Sequence, residues 1–460
     1  MKIPKQSSQR LNRRNFLKGT ITGAALFQIV PSHVVGLGAA LPPSEQVHVA
    51  GIGIGSRGGA DVDAVAREGH PFTALCDVDD NYAAKKFAQY PDAKRFKDYR
   101  VMMDKMDKDI DAVVIGTPDH THAVIAMEAM RRGKHVYCEK PLAHSIAEVR
   151  TLMTAAHQHK VITQLGNQGH SSDSIRRFCE WIWDGAIGEV HEIHAFCDAF
   201  KEVYCQIDKL PKVNDRNKIP EGLDYDKWLG PAQYEAYNPL WVPWNWRGWM
   251  SYGTGCLGDW ICHVLDPSFW ALDLGAPKSI HAEVTGYDPI LHGTCYPRGT
   301  KITYEFPAKG KRKPVKLTWF DGVSRPPRPE VLEEGRNPPG TGALVYGDKG
   351  VIMHGSHGGG GVRIIPEEKM KEYQNSGLPD KKIERVKNHH ADWLEAIKEN
   401  RQAGSNFDFG GPLTQVGLLG AIAIRFPGQT LYWDADSAKI TNNPLANAMV
   451  NPTYREGWSL

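Results

Sequence analysis

Apolar and polar positions alternate in two different ways along the chain, and the change divides it into two regions. From Val47 to about Leu165, short apolar runs such as IDAVVI (110–115) and HVYC (135–138) alternate with stretches that have helical spacing. This order predicts right-handed βαβ units and a parallel sheet. From about Ile187, runs such as GTKITYEF and VKLTWFDG alternate with period two, which predicts a mostly antiparallel sheet with one covered face.

Helices are predicted where apolar residues recur at spacings of three and four. Gly133 is the expected stop of one helix, because glycine commonly follows the last helical residue. The prolines between Arg325 and Gly342 exclude strand interiors and predict loop. HGSHGGGG (354–361) lacks the Lys-Ser/Thr of a phosphate-binding loop and is interpreted as a hairpin turn. The predicted helices are 84–88, 99–106, 123–132, 146–159, 389–400 and 412–426.

These patterns predict an α/β protein with a parallel sheet followed by a larger, mostly antiparallel sheet. A chain of 460 residues is long enough for two domains. We expect an N-terminal segment at 1–44, a first domain at 45–165 and a second at 166–460. The C-terminal helices are expected to pack back on the first domain.

The stretch from Val47 to Asp77 carries the strongest chemical signal. Gly53, Gly55 and Gly58 match G-x-G-x-x-G between a predicted strand and helix, so the backbone can approach a pyrophosphate at the helix N-terminus. Asp77 ends the next strand, 24 positions after Gly53, where a carboxylate can accept from a ribose 2′-OH. The sequence therefore predicts a dinucleotide site. Three intervening residues complete its turn: Ile54, Ser56 and Arg57.

The cofactor predicted from this turn is NAD. The charge of Asp77 would repel a 2′-phosphate, which favours NAD over NADP. Arg57, inside the glycine turn, leaves NADP open.

The first residues are basic and resemble an export address. RRNFLK (13–18) resembles a twin-arginine signal, and it precedes a moderately apolar run and the small-residue stretch GLGAA. The run is too short for a transmembrane helix, so no stable membrane insertion is expected. We expect cleavage near Ala40 and a periplasmic or otherwise exported protein. The alternative is a disordered basic segment with a chance arginine pair.

Charge argues against a nucleic-acid partner. The formal charge is +2, but six basic residues precede the first acid, Glu45, and the remainder carries about −4. The eight cysteines include no C-x-x-C pair, so no zinc ribbon or redox dithiol is predicted. Cys76 and Cys138 are expected to be buried thiols. Cys197 and Cys205 are able to pair, although nothing requires it.

Two motifs follow predicted strands at their carboxyl ends, where nucleotide sites lie in open α/β sheets. They are GTPDHTHA (116–123) and CEKPLA (138–143). A lysine aimed into an apolar cleft can have a lowered pKa, which would suit Lys140 for proton transfer. The alternative is a surface lysine at the turn before Pro141.

Asp259 and His263 form a third motif, GDWICH. They are four positions apart and therefore share one face of a helix. That face can present a carboxylate and an imidazole to one substrate hydroxyl, and histidine can take the hydroxyl proton near neutral pH. The alternative is a helix-terminal acid with a buried, satisfied histidine. Even with Asp266 as a third ligand, a metal site is not predicted.

The order of GIGSRG, Asp77, TPDHTH, EKP and GDWICH resembles the glucose–fructose oxidoreductase/inositol dehydrogenase (Gfo/Idh/MocA) superfamily. The resemblance implies a Rossmann domain followed by an α/β domain with a large open sheet, often pairing subunits through that sheet. It implies that Lys140 positions substrate and nicotinamide, Asp259 holds the sugar hydroxyl, and His263 is the general base in oxidation. It also implies dinucleotide contacts from Thr117, Pro118, His122 and Glu139, and nicotinamide or substrate contacts from Gln164, Asn167 and Gln168.

Tryptophan is concentrated just before and within the third motif. Seven of the thirteen tryptophans fall between Trp228 and Trp270. Indole faces stack on sugars, so the segment is either a carbohydrate rim, with Trp246 and Arg247 binding substrate, or a loop or subunit interface that buries its own aromatics.

The expected function is that of an exported NAD(P)-dependent oxidoreductase. It would act on a hydroxyl or ketone of a sugar, polyol or glycoside, with a tightly bound cofactor and a homo-oligomeric assembly through the second sheet. One alternative is an NAD-dependent glycosidase resembling the α-N-acetylgalactosaminidases, which usually have a Tyr/His-containing segment where this chain has GDWICH. Another alternative is a non-catalytic sugar-binding protein.

Overall fold

The structure, a computed structural model, describes residues 41–199 and 201–460. It divides into Met1–Gln46 and Val47–Leu460. Of the first unit, the described part contains one 3₁₀ turn, Pro43–Glu45. The twin-arginine motif and the expected cleavage near Ala40 lie outside the described residues. Within the described ranges, no helix has both the length and the apolar character required to cross a bilayer.

The first sheet has six parallel strands in the order β3-β2-β1-β4-β5-β6. Strand order therefore reverses between β1 and β4, and ligands of open α/β sheets bind outside the carboxyl ends at such a point. The prediction of a parallel sheet is confirmed. Its strands are β1 (Val49–Ile52), β2 (Phe72–Cys76), β3 (Lys94–Phe96), β4 (Ala112–Ile115), β5 (His135–Cys138) and β6 (Thr163–Leu165).

Helices cover both faces of this sheet. One face packs on α1 and α2, and the other on α3, α4 and α5. The alternation of buried residues along β4 explains the two layers, since Val113 belongs to one core cluster and Val114 to the other. The helices are α1 (Arg57–Arg67), α2 (Asp80–Gln89), α3 (Tyr99–Met106), α4 (Asp119–Arg131) and α5 (Ile146–His159).

The second sheet has nine strands and is mostly antiparallel, as predicted. Its order is β13-β12-β11-β7-β10-β9-β8-β14-β15. Among the described strands of this second sheet, only β7 and β10 pair in parallel. The strands are β7 (Val190–Cys197), β8 (Ser279–Thr285), β9 (Gly299–Phe306), β10 (Val315–Gly322), β11 (Gly342–Gly347), β12 (Val351–Gly355), β13 (Arg363–Ile365), β14 (Thr430–Asp434) and β15 (Lys439–Ile440).

Helices of the second region connect the two sheets. Leu257 of α9 and Leu419 of α13 share a core cluster with strands of the nine-stranded sheet. Trp393 of α12 packs instead in a cluster of the first sheet. The remaining helices are α6 (Asp173–Trp183), α7 (Lys201–Tyr204), α8 (Tyr225–Leu229), α9 (Gly255–Val264), α10 (Asp266–Ala271), α11 (Glu367–Asn375), α12 (His389–Glu399), α13 (Phe407–Ala423) and α14 (Pro444–Ala448).

The helices predicted at 123–132 and 412–426 both begin earlier than expected: the first spans Asp119–Arg131, and the second spans Phe407–Ala423. The expected helix at 412–426 begins earlier, because Asn406 caps it by accepting from the Asp408 N–H, and Pro412 lies inside the helix. The hairpin interpretation of 354–361 is confirmed, since this stretch connects the antiparallel strands β12 and β13. The domain boundary at 165/166 stays a prediction.

The cysteines are free thiols. Cys76 and Cys138 are buried, as expected. Cys197 and Cys205, which the sequence left able to pair, are not joined.

Candidate active site

The glycine turn is held by contacts that leave no room for a Cβ. Gly53 has φ +75°, and a Cβ there would lie 2.6 Å from the Thr117 N atom. A Cβ on Gly58 would lie 2.1 Å from the Gly53 carbonyl oxygen. Helix α1 therefore approaches β1 and β4 as closely as the motif requires, and the turn fits a dinucleotide pyrophosphate.

Asp77 closes the turn from the end of β2. Its carboxylate accepts from the backbone N–H groups of Ile54 (2.8 Å) and Asp79 (3.0 Å). Burial, which outweighs these hydrogen bonds, raises the pKa of Asp77 to about 6. The side chain lines the same cleft as Gly53 and Gly55, where its contact with a ribose stays a prediction.

A cleft with about 970 Å³ of empty space runs along the carboxyl ends of β1, β2 and β4. It lies where strand order reverses, the place at which ligands bind in open α/β sheets. Thr117 and Pro118 line one side, and Trp246 and Arg247 belong to the facing segment.

A residue from the C-terminal segment also lines the cleft. Trp458 lines the cleft, and the Arg100 guanidinium lies 4.7 Å from its ring centroid. Tyr454 donates to Glu148 of α5 at 2.5 Å, which ties this segment to the first domain's helices.

Arg57 is held by two acids. Its guanidinium contacts Asp61 at 2.6 Å and Glu139 at 3.2 Å. Burial raises the pKa of Asp61 to about 6 and, together with Asp61, that of Glu139 to about 7. Because its charge is already paired, Arg57 is poorly placed to hold the 2′-phosphate of NADP, which weakens that alternative.

Lys140 forms a buried ion pair with Asp259, across 119 positions of sequence. The expected lowering of the lysine pKa is wrong. Burial alone would lower the pKa of Lys140, but the Asp259 and Glu139 charges outweigh burial and raise it. In return, Lys140 and Arg247 overcome the burial of Asp259 and lower its pKa. Lys140 is therefore a fixed cation and not a proton acceptor.

Two more donor groups face the Asp259 carboxylate, and the sequence did not predict that they would meet there. Tyr204 of α7 donates to Asp259 Oδ2, and the Arg247 Nε lies 3.5 Å from the same oxygen. Trp260 in turn donates its indole N–H to the Tyr204 oxygen at 2.8 Å. Tyr204 was missed because its segment has no helical or strand periodicity and lies 55 positions before Asp259.

His263 faces the ion pair from the next turn of α9. Its Nδ1 is buried and has no hydrogen-bond partner among the described residues. Burial first, and then the charge of Lys140, lower the pKa of His263 well below its usual value. The ring is therefore neutral at physiological pH and able to accept a proton.

His357 is a second residue that the sequence did not predict. Its ring stacks on His263, with centroids 4.2 Å apart and an interplanar angle of 20°. It lies in the turn between β12 and β13 with φ +53°. The close approach of Gly169 and Gly358 seats this turn, because a Cβ on Gly169 would lie 2.3 Å from the Gly358 N atom.

The polar residues of the QLGNQG segment (164–169) differ in how deeply they are buried. Asn167 is fully buried and donates to Asp266 at 3.0 Å, and Gln164 is also fully buried. Gln168 is partly exposed and donates to Glu139 at 2.5 Å. Cofactor contact by Asn167 and substrate contact by Gln168 stay predictions, and Gln168 is the better exposed of the two.

His122 contacts two loops, the one that follows β4 and the one that follows β5. Its ring nitrogens lie 2.8 Å from the carbonyl oxygens of Pro141 and Thr117. Burial lowers the pKa of His122, so the ring is neutral and its one N–H serves one carbonyl at a time. The His122 ring therefore holds the loop that contains Thr117 and Pro118 against the loop that contains Pro141.

The tryptophan-rich segment buries most of its own aromatics, as one of the two interpretations expects, and substrate binding by this segment stays a prediction. Trp228, Trp241 and Trp249 are buried in a cluster of its own aromatics. Trp244 is 36% exposed, and together with Trp246 it lines the cleft. The segment therefore buries most of its indoles, and Trp228, Trp244 and Trp246 line the cleft.

We expect Tyr204→Phe to lower kcat/KM about tenfold. The variant removes one donor from Asp259 and the oxygen to which the Trp260 indole donates, which also costs about 1–3 kcal/mol of stability. Steady-state kinetics and thermal unfolding measure the two effects. Tyr432→Phe, at an exposed ring of β14, is the control. Unchanged kinetics in Tyr204→Phe would remove Tyr204 from the site.

A parallel-sheet domain that carries a glycine turn and Lys140, joined to a second domain that contributes its ion-pair partner Asp259 and His263, defines a dinucleotide-dependent oxidoreductase architecture. Residues 47–167 match the oxidoreductase family described as an NAD-binding Rossmann fold. Residues 204–460 match the same family's C-terminal alpha/beta domain. The chain belongs to the Gfo/Idh/MocA oxidoreductase family, and its first domain is the family's NAD-binding domain.

Two curated relatives illustrate the range of this family. Levoglucosan dehydrogenase of Pseudarthrobacter phenanthrenivorans is 26% identical over 42% of this chain and 40% of its own length. Glycosyl hydrolase family 109 protein 2 of Shewanella sp. (strain ANA-3) is 32% identical over 56% of this chain and 59% of its own. The chain thus spans about half the length of these relatives.

Solved structures share the fold. An inositol dehydrogenase homologue of Azotobacter vinelandii, in complex with NADH and myo-inositol, covers 84% of this chain and 98% of its own, with 15% identity and a TM-score of 0.56.

Proposed function

We propose that this protein is an NAD-dependent oxidoreductase that acts on a hydroxyl or ketone of a sugar, polyol or glycoside. The observation that carries the proposal is the buried Lys140–Asp259 pair beside a neutral His263 whose Nδ1 has no partner in the described part of the chain. The relatives that act on levoglucosan and bind myo-inositol support the substrate class.

The residues divide the work between holding the substrate and moving its proton. When bound, NAD supplies the hydride acceptor. Asp259, fixed by Lys140 and Tyr204, orients the substrate carbinol, and His263 takes the hydroxyl proton as hydride leaves the same carbon. In the reverse direction, His263 returns the proton to the ketone oxygen. Lys140 keeps a positive charge beside the oxygen on which negative charge develops.

Two measurements test this function together. The nucleotide extracted from the purified protein is expected to be NAD(H) by mass spectrometry. A screen of sugars, polyols and 3-keto sugars against the holo-protein, followed by nicotinamide absorbance, is expected to find a substrate. An empty site that also fails to bind added NAD(H) or NADP(H) would contradict the proposal.

Asp77→Asn is expected to lower the preference for NAD over NADP by about tenfold to a hundredfold. It removes the charge that repels a 2′-phosphate and keeps an oxygen that can accept from the Ile54 N–H. Dissociation constants for both nucleotides measure the effect. Asp111→Asn, near the amino end of β4, is the matched control. An unchanged ratio would show that Asp77 does not face the ribose.

The second candidate function is an NAD-dependent glycosidase. It is favoured by the similarity to glycosyl hydrolase family 109 protein 2 over 284 residues. Transient oxidation of a ring hydroxyl by NAD would acidify the neighbouring C–H, and elimination would expel the aglycone and leave an unsaturated ketone. Water would then add to the double bond, and the NADH formed in the first step would reduce the ketone to restore the sugar. Release of p-nitrophenol from aryl glycosides without net NADH formation would establish this function instead.

We also propose that the protein is exported with its cofactor already bound. The RRNFLK motif supports export, and the twin-arginine route carries folded proteins. Because free NAD(H) is scarce outside the cytoplasm, the cofactor would be held tightly and recycled by a second sugar. Fractionation of cells that express the chain tests the location, with Arg13→Lys/Arg14→Lys as the non-exported control.

Assembly through the nine-stranded sheet remains a proposal from the family resemblance. Light scattering of the purified protein tests it, and a monomer would contradict it.

A further inference from the structure

Arg247 is held more rigidly than a solvent-facing arginine. Its Cζ lies 4.1 Å from the Trp244 ring centroid and 4.2 Å from that of Trp246, so its guanidinium rests against two indoles. Its Nη1 donates to the Trp244 carbonyl at 3.2 Å. The side chain is 14% exposed and lines the cleft. These contacts fix both the position and the plane of the guanidinium.

The edge of this guanidinium is only partly used. Its Nε faces Asp259 Oδ2 at 3.5 Å, which is longer than a good charge-assisted hydrogen bond. Its Nη2 makes no hydrogen bond to a described residue and is not fully buried. The cleft therefore receives a fixed cation with donors to spare.

The groups paired at Asp259 carry more positive than negative charge. Lys140 and Arg247 both face this one carboxylate. Glu139 also acts on Lys140, but burial together with Asp61 raises the pKa of Glu139 to about 7. Burial and the Asp259 charge likewise raise the pKa of Asp119 to about 7, and its Oδ2 accepts from the Thr254 N–H and O–H. His263 is neutral. Arg247 therefore shares the Asp259 carboxylate with Lys140 and lines the cleft without an anion of its own among the described residues.

We propose that the natural substrate bears a carboxylate, as a uronic acid or its glycoside does, and that Arg247 binds this group. The proposal rests on the oxidoreductase function proposed above and names its substrate class. A planar guanidinium offers parallel N–H groups that match the two oxygens of a carboxylate. A neutral hydroxymethyl group would accept at most one of them and leave the charge uncompensated.

The test compares sugars that differ only at this group. The holo-protein is given methyl glucoside and methyl glucuronide, and galactose and galacturonate, with nicotinamide absorbance for turnover and tryptophan fluorescence for binding. We expect the acid of a pair to have a kcat/KM at least about tenfold higher than that of its neutral partner. Glucose 6-phosphate is the third arm, and preference for it over the acids would overturn the carboxylate assignment.

Arg247→Gln then identifies the residue responsible. We expect the acid-to-neutral ratio of kcat/KM to fall about thirtyfold, whatever happens to the absolute rates. Arg247→Lys keeps the charge but not the planar guanidinium. We expect its acid-to-neutral ratio to lie between those of the wild-type protein and Arg247→Gln. Arg131→Gln, on the exposed side of α4, is the matched control and should leave the ratio unchanged.

Two results overturn the inference. One is equal or better turnover of the neutral sugars by the wild-type protein. The other is an equal loss for both members of a pair in Arg247→Gln, which would assign Arg247 to the cofactor or to folding. Failure of the function itself looks different: no sugar of either kind would reduce the nicotinamide, although acids that still bind through Arg247 would quench fluorescence.

Discussion

His263→Asn lowers the kcat of sugar oxidation by about a thousandfold in our expectation. A general base contributes about 10²–10⁴-fold to such a step, and an asparagine of similar size cannot take the hydroxyl proton. His263 is nearly buried, shares the face of α9 with Asp259 and stacks on His357, which is the other imidazole of the site. Stopped-flow reduction of the bound nicotinamide measures the chemical step directly.

The pH dependence provides a second signature of His263. The protonated ring cannot act as a base, so oxidation fails as pH falls through its pKa. Burial lowers that pKa, and the Lys140 and Arg57 charges and the His357 and His389 rings lower it further. The acid limb of kcat/KM is therefore expected well below pH 6.5. A limb at or above pH 6.5 would contradict a buried, neutral His263.

His281→Asn controls for the loss of a histidine as such. His281 lies on β8 and contacts Thr430 at 3.2 Å, away from the residues that line the cleft. Its variant should retain wild-type turnover. Near-normal kcat in His263→Asn with normal nucleotide content would assign the proton transfer to another group.

Gly58→Ala has the second large expected effect, the loss of bound nucleotide. The added Cβ would lie 2.1 Å from the Gly53 oxygen and 3.0 Å from the Gly116 Cα. Both neighbours are backbone atoms and cannot rotate away, so α1 must move off β1 and β4. We expect about 1–3 kcal/mol of destabilisation and about a hundredfold weaker nucleotide binding.

The measurement is the NAD content per purified chain, with the dissociation constant and the melting temperature. Gly360→Ala is the matched control, because a Cβ there meets only the Ser356 oxygen at 3.5 Å and the backbone φ is ordinary. It should leave nucleotide content unchanged. Full occupancy in Gly58→Ala would mean that the turn does not contact the pyrophosphate.

Local patterns in the sequence predicted the first sheet well. The helix at 146–159 matches the observed bounds because Ser145 and Glu148 form a capping box at its start. The strand HVYC also matches, since four apolar or aromatic residues are bounded by turns. Such boundaries depend on neighbours within a few positions, which a sequence displays directly.

The candidate site was predictable only in part, for a physical reason. Lys140, Asp259 and His263 occur in recognisable motifs, but Tyr204 and His357 reach them through long-range packing of segments without a periodic pattern. The raised pKa of Lys140 has the same origin, because its counter-charge lies 119 positions away. Charge partners of this kind are set by the fold and not by the local sequence.

The segment that contains Tyr454 and Trp458 provides a way to monitor occupancy of the cleft. Trp458 forms part of the wall of the cleft that Asp77 also lines, and Arg455 pairs with Asp226 at 2.5 Å. A nucleotide in the cleft would hold this wall in place and protect the peptide bond after Arg455 from trypsin. Limited proteolysis would then report occupancy: the nucleotide-free protein should be cut at Arg455 faster than the nucleotide-bound protein.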